Sequence, residues 1–159
     1  MNFRFWLSNF LYFSLLVGLS QTVQAHEHHA PHKGALVELG DELAHVEFVF
    51  DRKTGELTGY VLDGEAENPV RVKAEAIELT IQVSRVESGG SEASVEHASL
   101  ILNAVGNPLT GETAGDTSEF KGQSDFLKDA EHFSGTISSI EVNGFDFKDI
   151  KFKFPEGNE

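Results

Sequence analysis

Four of the chain's seven histidines, His26, His28, His29 and His32, fall within one seven-residue window. Imidazole is the commonest side-chain ligand for divalent transition ions, so this window concentrates coordination chemistry. The chain has no cysteine, and Met1 is its only methionine. Thiolate and thioether donors are therefore excluded, and with them the soft ligands that suit Cu(I). Imidazole, carboxylate and amine nitrogen remain, a set that points to Cu(II), with Zn(II) or Ni(II) as alternatives.

What precedes the window sets how it could work. Residues 1–25 carry Arg4 near the start, an apolar run from Phe10 to Leu19, a polar Ser20-Gln21-Thr22, and Val23-Gln24-Ala25 with small residues at both recognition positions. This is the pattern of a signal peptide cleaved after Ala25, and the run is shorter than the ~20 apolar residues of a spanning helix. Cleavage would make His26 the N-terminus. Its amine, two backbone amides and the His28 imidazole could then wrap an ion in a square plane of nitrogens, which Glu27 permits and a proline there would forbid. In a second arrangement the amine and ring of His26 chelate copper and His45, His97 or His132 completes a histidine brace. In a third, His28, His29 and His32 form a loose zinc or nickel site, with Pro31 keeping the segment extended. The plain alternative is a solvated leader that binds metal only as any histidine-rich peptide does.

The elements that would carry this leader read as β-strands. Residues 35–159 predict a single all-β domain, an Ig-like β-sandwich of about seven to nine mostly antiparallel strands. The first strand is Ala35 to Leu39. In the next, Ala44, Val46, Phe48 and Phe50 alternate with His45, Glu47, Val49 and Asp51. One face is then apolar, and His45 shares the other with Glu47, near enough to share an ion or a hydrogen bond. His45 is thus the body's first candidate ligand, against a plain reading as a solvent-facing strand residue. Leu57 to Leu62 follows. Val70, Val72, Ala74 and Ala76 then alternate out of phase with Ile77, Leu79, Ile81 and Val83, which predicts a bulge or a break near Ala76.

Residues 87–92 predict a flexible connection, and Ala98, Leu100, Leu102 and Ala104 line one face of the strand beyond it, leaving His97 on the other. Residues 106–132 predict a long irregular loop pinned by Phe120 and Phe126, with one short helix within 125–133. Its acidic residues lack the spacing of a calcium loop and read as solvated. Asn143-Gly144 is the clearest hairpin signal, Lys148-Asp149 predicts a bulge or turn, and Pro155 ends the last strand before a polar tail.

The formal charge of −14 opposes a nucleic-acid partner, because phosphate binding needs a basic face. With no G-x-S-x-G elbow, P-loop or cysteine, no enzyme is expected.

The segments His26-Glu27-His28-His29-Ala30-Pro31-His32-Lys33-Gly34, Leu36-Val37-Glu38-Leu39-Gly40, Ala44-His45-Val46-Glu47 and Tyr60-Val61-Leu62-Asp63-Gly64 resemble small exported bacterial proteins associated with heavy-metal efflux. They are also similar to N-terminal extensions of the periplasmic adaptors of metal efflux pumps. The resemblance implies a periplasmic or secreted protein with no membrane span after cleavage. It also implies capture and delivery of a divalent transition metal, with His26, His28, His29, His32 and His45 as ligands and a pump adaptor as partner. A fainter similarity is to periplasmic copper-resistance β-sandwich proteins, from which this chain departs in having no methionine-rich loop. Two other functions compete: an acidic interaction module of the cell envelope, and a histidine-brace copper oxidase, which the chain resembles only through His26 and its β-rich body.

Overall fold

Alternation of apolar and polar residues dictates the architecture of the computed structural model, which describes residues 29–86 and 93–158. The expected signal peptide, His26, His28 and the 87–92 connection lie outside these residues. Among the described residues nine strands form: β1 (Ala35–Leu39), β2 (Ala44–Asp51), β3 (Glu56–Leu62), β4 (Ala76–Val86), β5 (Ala93–Ala104), β6 (Glu119–Gln123), β7 (Phe133–Val142), β8 (Phe145–Phe154) and β9 (Gly157–Asn158). All pairings are antiparallel, in the order β1-β2-β3-β6-β5-β4-β7-β8-β9. The all-β, antiparallel expectation is borne out. The layers facing each other across the core are parts of one continuous sheet, curled until its two edges nearly meet.

Each strand turns its apolar alternate residues inward. Val46 and Phe48 of β2, Leu79 and Ile81 of β4, Leu102 of β5, Ile137 of β7 and Phe152 of β8 are all essentially inaccessible. Phe48 stacks on Phe152 at 4.5 Å between ring centroids, joining the two halves of the sheet. At one end Phe133 stacks on Phe154 at 5.0 Å, and Phe50 meets both edge-on. Burying a large apolar side chain contributes about 1.5–3 kcal/mol, so this shared core holds the strands together.

The seam between β1 and β9 is closed by a side chain. Asn158 Oδ1 accepts from the Glu38 amide, and Asn158 Nδ2 donates to the Glu38 carbonyl at 3.1 Å. Gly157 must be glycine here: its φ is +101°, and a Cβ would lie 2.2 Å from the Leu36 carbonyl oxygen. The expected polar tail is therefore the strand that brings the sheet's edges together.

The phase shift near Ala76 is a break: residues 69–75 lie outside the strands and are held by the isolated bridges Leu62 to Pro69 and Val72 to Thr117, by the Ala104 amide on the Glu75 carbonyl and by Arg71 on the Thr110 carbonyl. The long loop 106–132 contains β6, whose Phe120 is fully buried, and a short 3-10 turn, Asp125–Leu127, capped by Ser124. Asn143 and Gly144, with φ of 53° and 83°, form the expected tight hairpin between β7 and β8. At the expected bulge or turn Asp149 has φ 53°, but the β7–β8 register is the same on either side, Ile137–Ile150 and Ser139–Lys148, so no residue is inserted.

Candidate functional site

The outer face of β2 carries the polar residues that sequence singles out, and it is not open to solvent. His45 is 2% exposed and Glu47 0%. The inward alternates of β2 are buried by the core, and these outward ones are covered by chain from elsewhere.

Over His45 lies the 63–68 loop. Asp63 closes it: its carboxylate accepts from the Glu67 amide at 2.9 Å, the Asn68 amide at 3.2 Å and the Asn68 side chain at 2.7 Å. The Asn68 side chain, aided by the Glu67 and Asn68 amides, holds the Asp63 carboxyl below its usual range against the opposing effect of burial. The His45 ring donates from Nδ1 to the Asp63 carbonyl at 3.1 Å. Thus the plain expectation of a solvent-facing His45 is wrong. The ring is tied into the body.

Over Glu47 lies the end of the histidine-rich leader. Ala30-Pro31-His32-Lys33 form a turn closed by the Lys33 amide on the Ala30 carbonyl at 3.1 Å. Proline pre-sets the backbone for the second position of such a turn, and Lys33 leaves it at φ 63°. The segment is folded back at Pro31, where sequence predicts it extended. Glu47 Oε1 accepts from the amides of His32 and Gly34, each at 2.8 Å, and Oε2 faces His32 Nδ1, also at 2.8 Å. Gly34 permits this approach, since a Cβ there would lie 2.4 Å from the Phe48 carbonyl oxygen and 2.9 Å from Glu47 Cγ. Burying a carboxylate costs several kcal/mol. Three hydrogen bonds to a charged acceptor, each worth about 1.5–3 kcal/mol, offset it.

The His32 ring also lies flat on Tyr60, with centroids 3.9 Å apart and planes 13° from parallel. Tyr60 stands opposite Glu47 in the β2–β3 register, so both contacts come from neighbouring strands of one sheet face. Burial, then the Glu119 carboxylate, push the Tyr60 hydroxyl above its usual range, with Lys121 opposing. Tyr60 therefore offers His32 a neutral aromatic face. Despite both contacts, 43% of the His32 side chain stays exposed.

The remaining histidines are dispersed. His29 is exposed just before the turn, and His97 is exposed on β5. His132 is exposed beside Glu156 at 3.7 Å and lines an open cleft of about 530 Å³ with Arg52, Gln82, Phe133 and Lys153. Arg52 is already engaged there by Glu131 at 2.8 Å and by the Asp129 carbonyl. The acidic residues of the long loop are likewise paired locally, Glu119 with Lys121, Asp125 with Lys128 and Glu112 with Ser118 and Thr110. Among the described residues no three histidine or acidic side chains gather closely enough to hold a metal ion.

Of the sequence-derived candidates, the structure places His32 on Glu47 and sends His45, two residues away on the same strand, to a different partner. Sequence reasoning passed over Tyr60, and it set Glu47 beside His45 without its contact to His32. The signal for Glu47 was its place among outward-facing residues beside His45, but its partner lies fifteen residues back in the leader. No protein-family model, curated protein or solved structure matches this chain.

Proposed function

We propose that the chain captures a divalent transition ion, Cu(II) foremost, through its N-terminal histidines outside the cytoplasm and presents it to a metal-efflux component. The observation that supports this reading is the docking of His32. The last imidazole of a four-histidine window is held on the folded body by one buried carboxylate and one aromatic ring, and is still open to solvent. A leader anchored in this way keeps His29, three residues before His32, close to a fixed imidazole, which lowers the ordering entropy of chelation. A carboxylate–imidazole pair is also the usual outer support of a metal-bound histidine. The ion reaches the efflux component while the body remains folded, because none of the leader's described residues belongs to the core. The sequence resemblance to exported heavy-metal efflux proteins supplies the compartment and the recipient.

The test is a Cu(II) titration of chain beginning at His26, followed by the visible d–d band and electron paramagnetic resonance. One equivalent with nitrogen ligation is expected, lost when His26, His28, His29 and His32 are all replaced by alanine. Unchanged tight binding in that variant would defeat the reading and redirect attention to His45, His97 and His132.

A further inference from the structure

The carboxylate under His32 does more than hold the leader down, because its two oxygens have different tasks. Oε1 takes both backbone donors, the amides of His32 and Gly34. Oε2 is left to the imidazole, 2.8 Å from Nδ1. An ionised carboxylate only accepts, so Nδ1 must carry the proton in this contact. A neutral imidazole has one N–H, and its lone pair then resides on Nε2. Tyr60, stacked flat at 3.9 Å, fixes the plane in which that lone pair points.

We infer that Glu47 is a positioning residue that locks His32 in the Nδ1–H tautomer and so makes Nε2 the donor atom for a divalent transition ion. The inference rests on the metal-capture reading and names one atom of that site together with the residue that prepares it. A partner carboxylate raises the basicity of the imidazole and removes the need to shift a proton when the metal arrives. The donor suits borderline ions that take a single imidazole nitrogen and does not suit Mg(II) or Ca(II), which prefer oxygen.

The geometry makes an opposite prediction for an isosteric change. In Glu47→Gln the two backbone amides still need an acceptor, so the glutamine oxygen takes the Oε1 position. The NH2 group then faces the imidazole and donates to Nδ1. The ring proton must move to Nε2, which removes the lone pair from the metal-facing atom. Shape and docking are kept, and the tautomer is inverted.

The first measurement needs no variant: ring ¹⁵N shifts of His32 in the metal-free chain, followed with rising pH until they no longer change. The Nδ1–H form is expected, and a predominantly Nε2–H ring would overturn the inference. In Glu47→Gln the Nε2–H form is expected, with Cu(II) affinity, measured by chelator competition, weakened about 10–100-fold. His32→Ala should weaken Cu(II) at least as much, and the double variant should lose nothing more. A Glu47→Gln chain with inverted tautomer and wild-type Cu(II) affinity would refute the positioning role. Failure of the metal-capture reading looks different: a wild-type ring in the Nδ1–H form on a chain that takes up no stoichiometric Cu(II), which removes the donor role while the tautomer lock stands.

Discussion

Replacing Gly157 with alanine should open the seam of the sheet, and the size of the effect has a ceiling set by the structure. The new Cβ would lie 2.2 Å from the Leu36 carbonyl oxygen, and the backbone there has φ +101°. Neither problem is relieved by a rotamer change, because Cβ is fixed to the backbone. Holding an L-residue in such a conformation costs about 1–3 kcal/mol before the clash is counted. The chain escapes both by lifting β9 away from β1. What is lost is then the pair of Asn158 bonds to Glu38, each worth about 0.5–1.5 kcal/mol net, for a total of about 1–3 kcal/mol. Asn158→Ala removes the same two bonds and should cost a similar amount. The double variant should therefore cost little more than either single one, a non-additivity expected of residues acting in one contact. Urea denaturation gives the stabilities, and amide exchange at Glu38 reports the seam directly. Additive costs in the double variant, or a Glu38 amide that stays protected in Gly157→Ala, would show that β9 does not close the sheet in this way.

Phe48→Ala should destabilise the fold by about 3–5 kcal/mol in urea denaturation, because the ring is fully buried and stacked on Phe152 from the other half of the sheet; a loss below about 1.5 kcal/mol would argue against that core contact. Acid stability should depend on Glu112, whose carboxyl is held below its usual range by the Ser118 hydroxyl, then the Thr110 hydroxyl, with the Ser118 amide and Arg71 adding to them against burial. The folded value lies below the unfolded one, so the stabilisation is full above the unfolded value and is lost as pH falls through the folded one, in a window at roughly pH 4.5 and below. Urea midpoints measured from pH 7 to 3 should show a shallower acid slope in Glu112→Gln; an unchanged slope would mean these bonds do not favour the ionised form.

Much of the framework was legible in local pattern. The alternation from Ala44 to Asp51 gave β2 its register and inward face, and Asn143-Gly144 marked the β7–β8 hairpin through its two positive-φ positions. Composition also confined metal ligands to nitrogen and oxygen, since a chain without cysteine has no thiolate to offer. These features depend on a few neighbouring residues or on residue type alone, so no tertiary contact is needed to read them. The candidate site was only half legible: the histidine window and the His45–Glu47 face were visible separately, but nothing local joined them. Alternation places Glu47 outward, and outward normally means solvated. Burial at that position is decided by the turn at Pro31, by the side-chain-free approach of Gly34 to Phe48, and by the ring of Tyr60 from the next strand. The same holds for β9, a two-residue strand too short for any periodicity, which exists because Asn158 meets Glu38 across 120 positions of chain. Sequence by itself determined which side chains could do chemistry and which faces were apolar. Tertiary structure alone decided which carboxylate meets which imidazole, because hydrogen-bond partners distant in the chain are chosen by how turns and strands pack on one another.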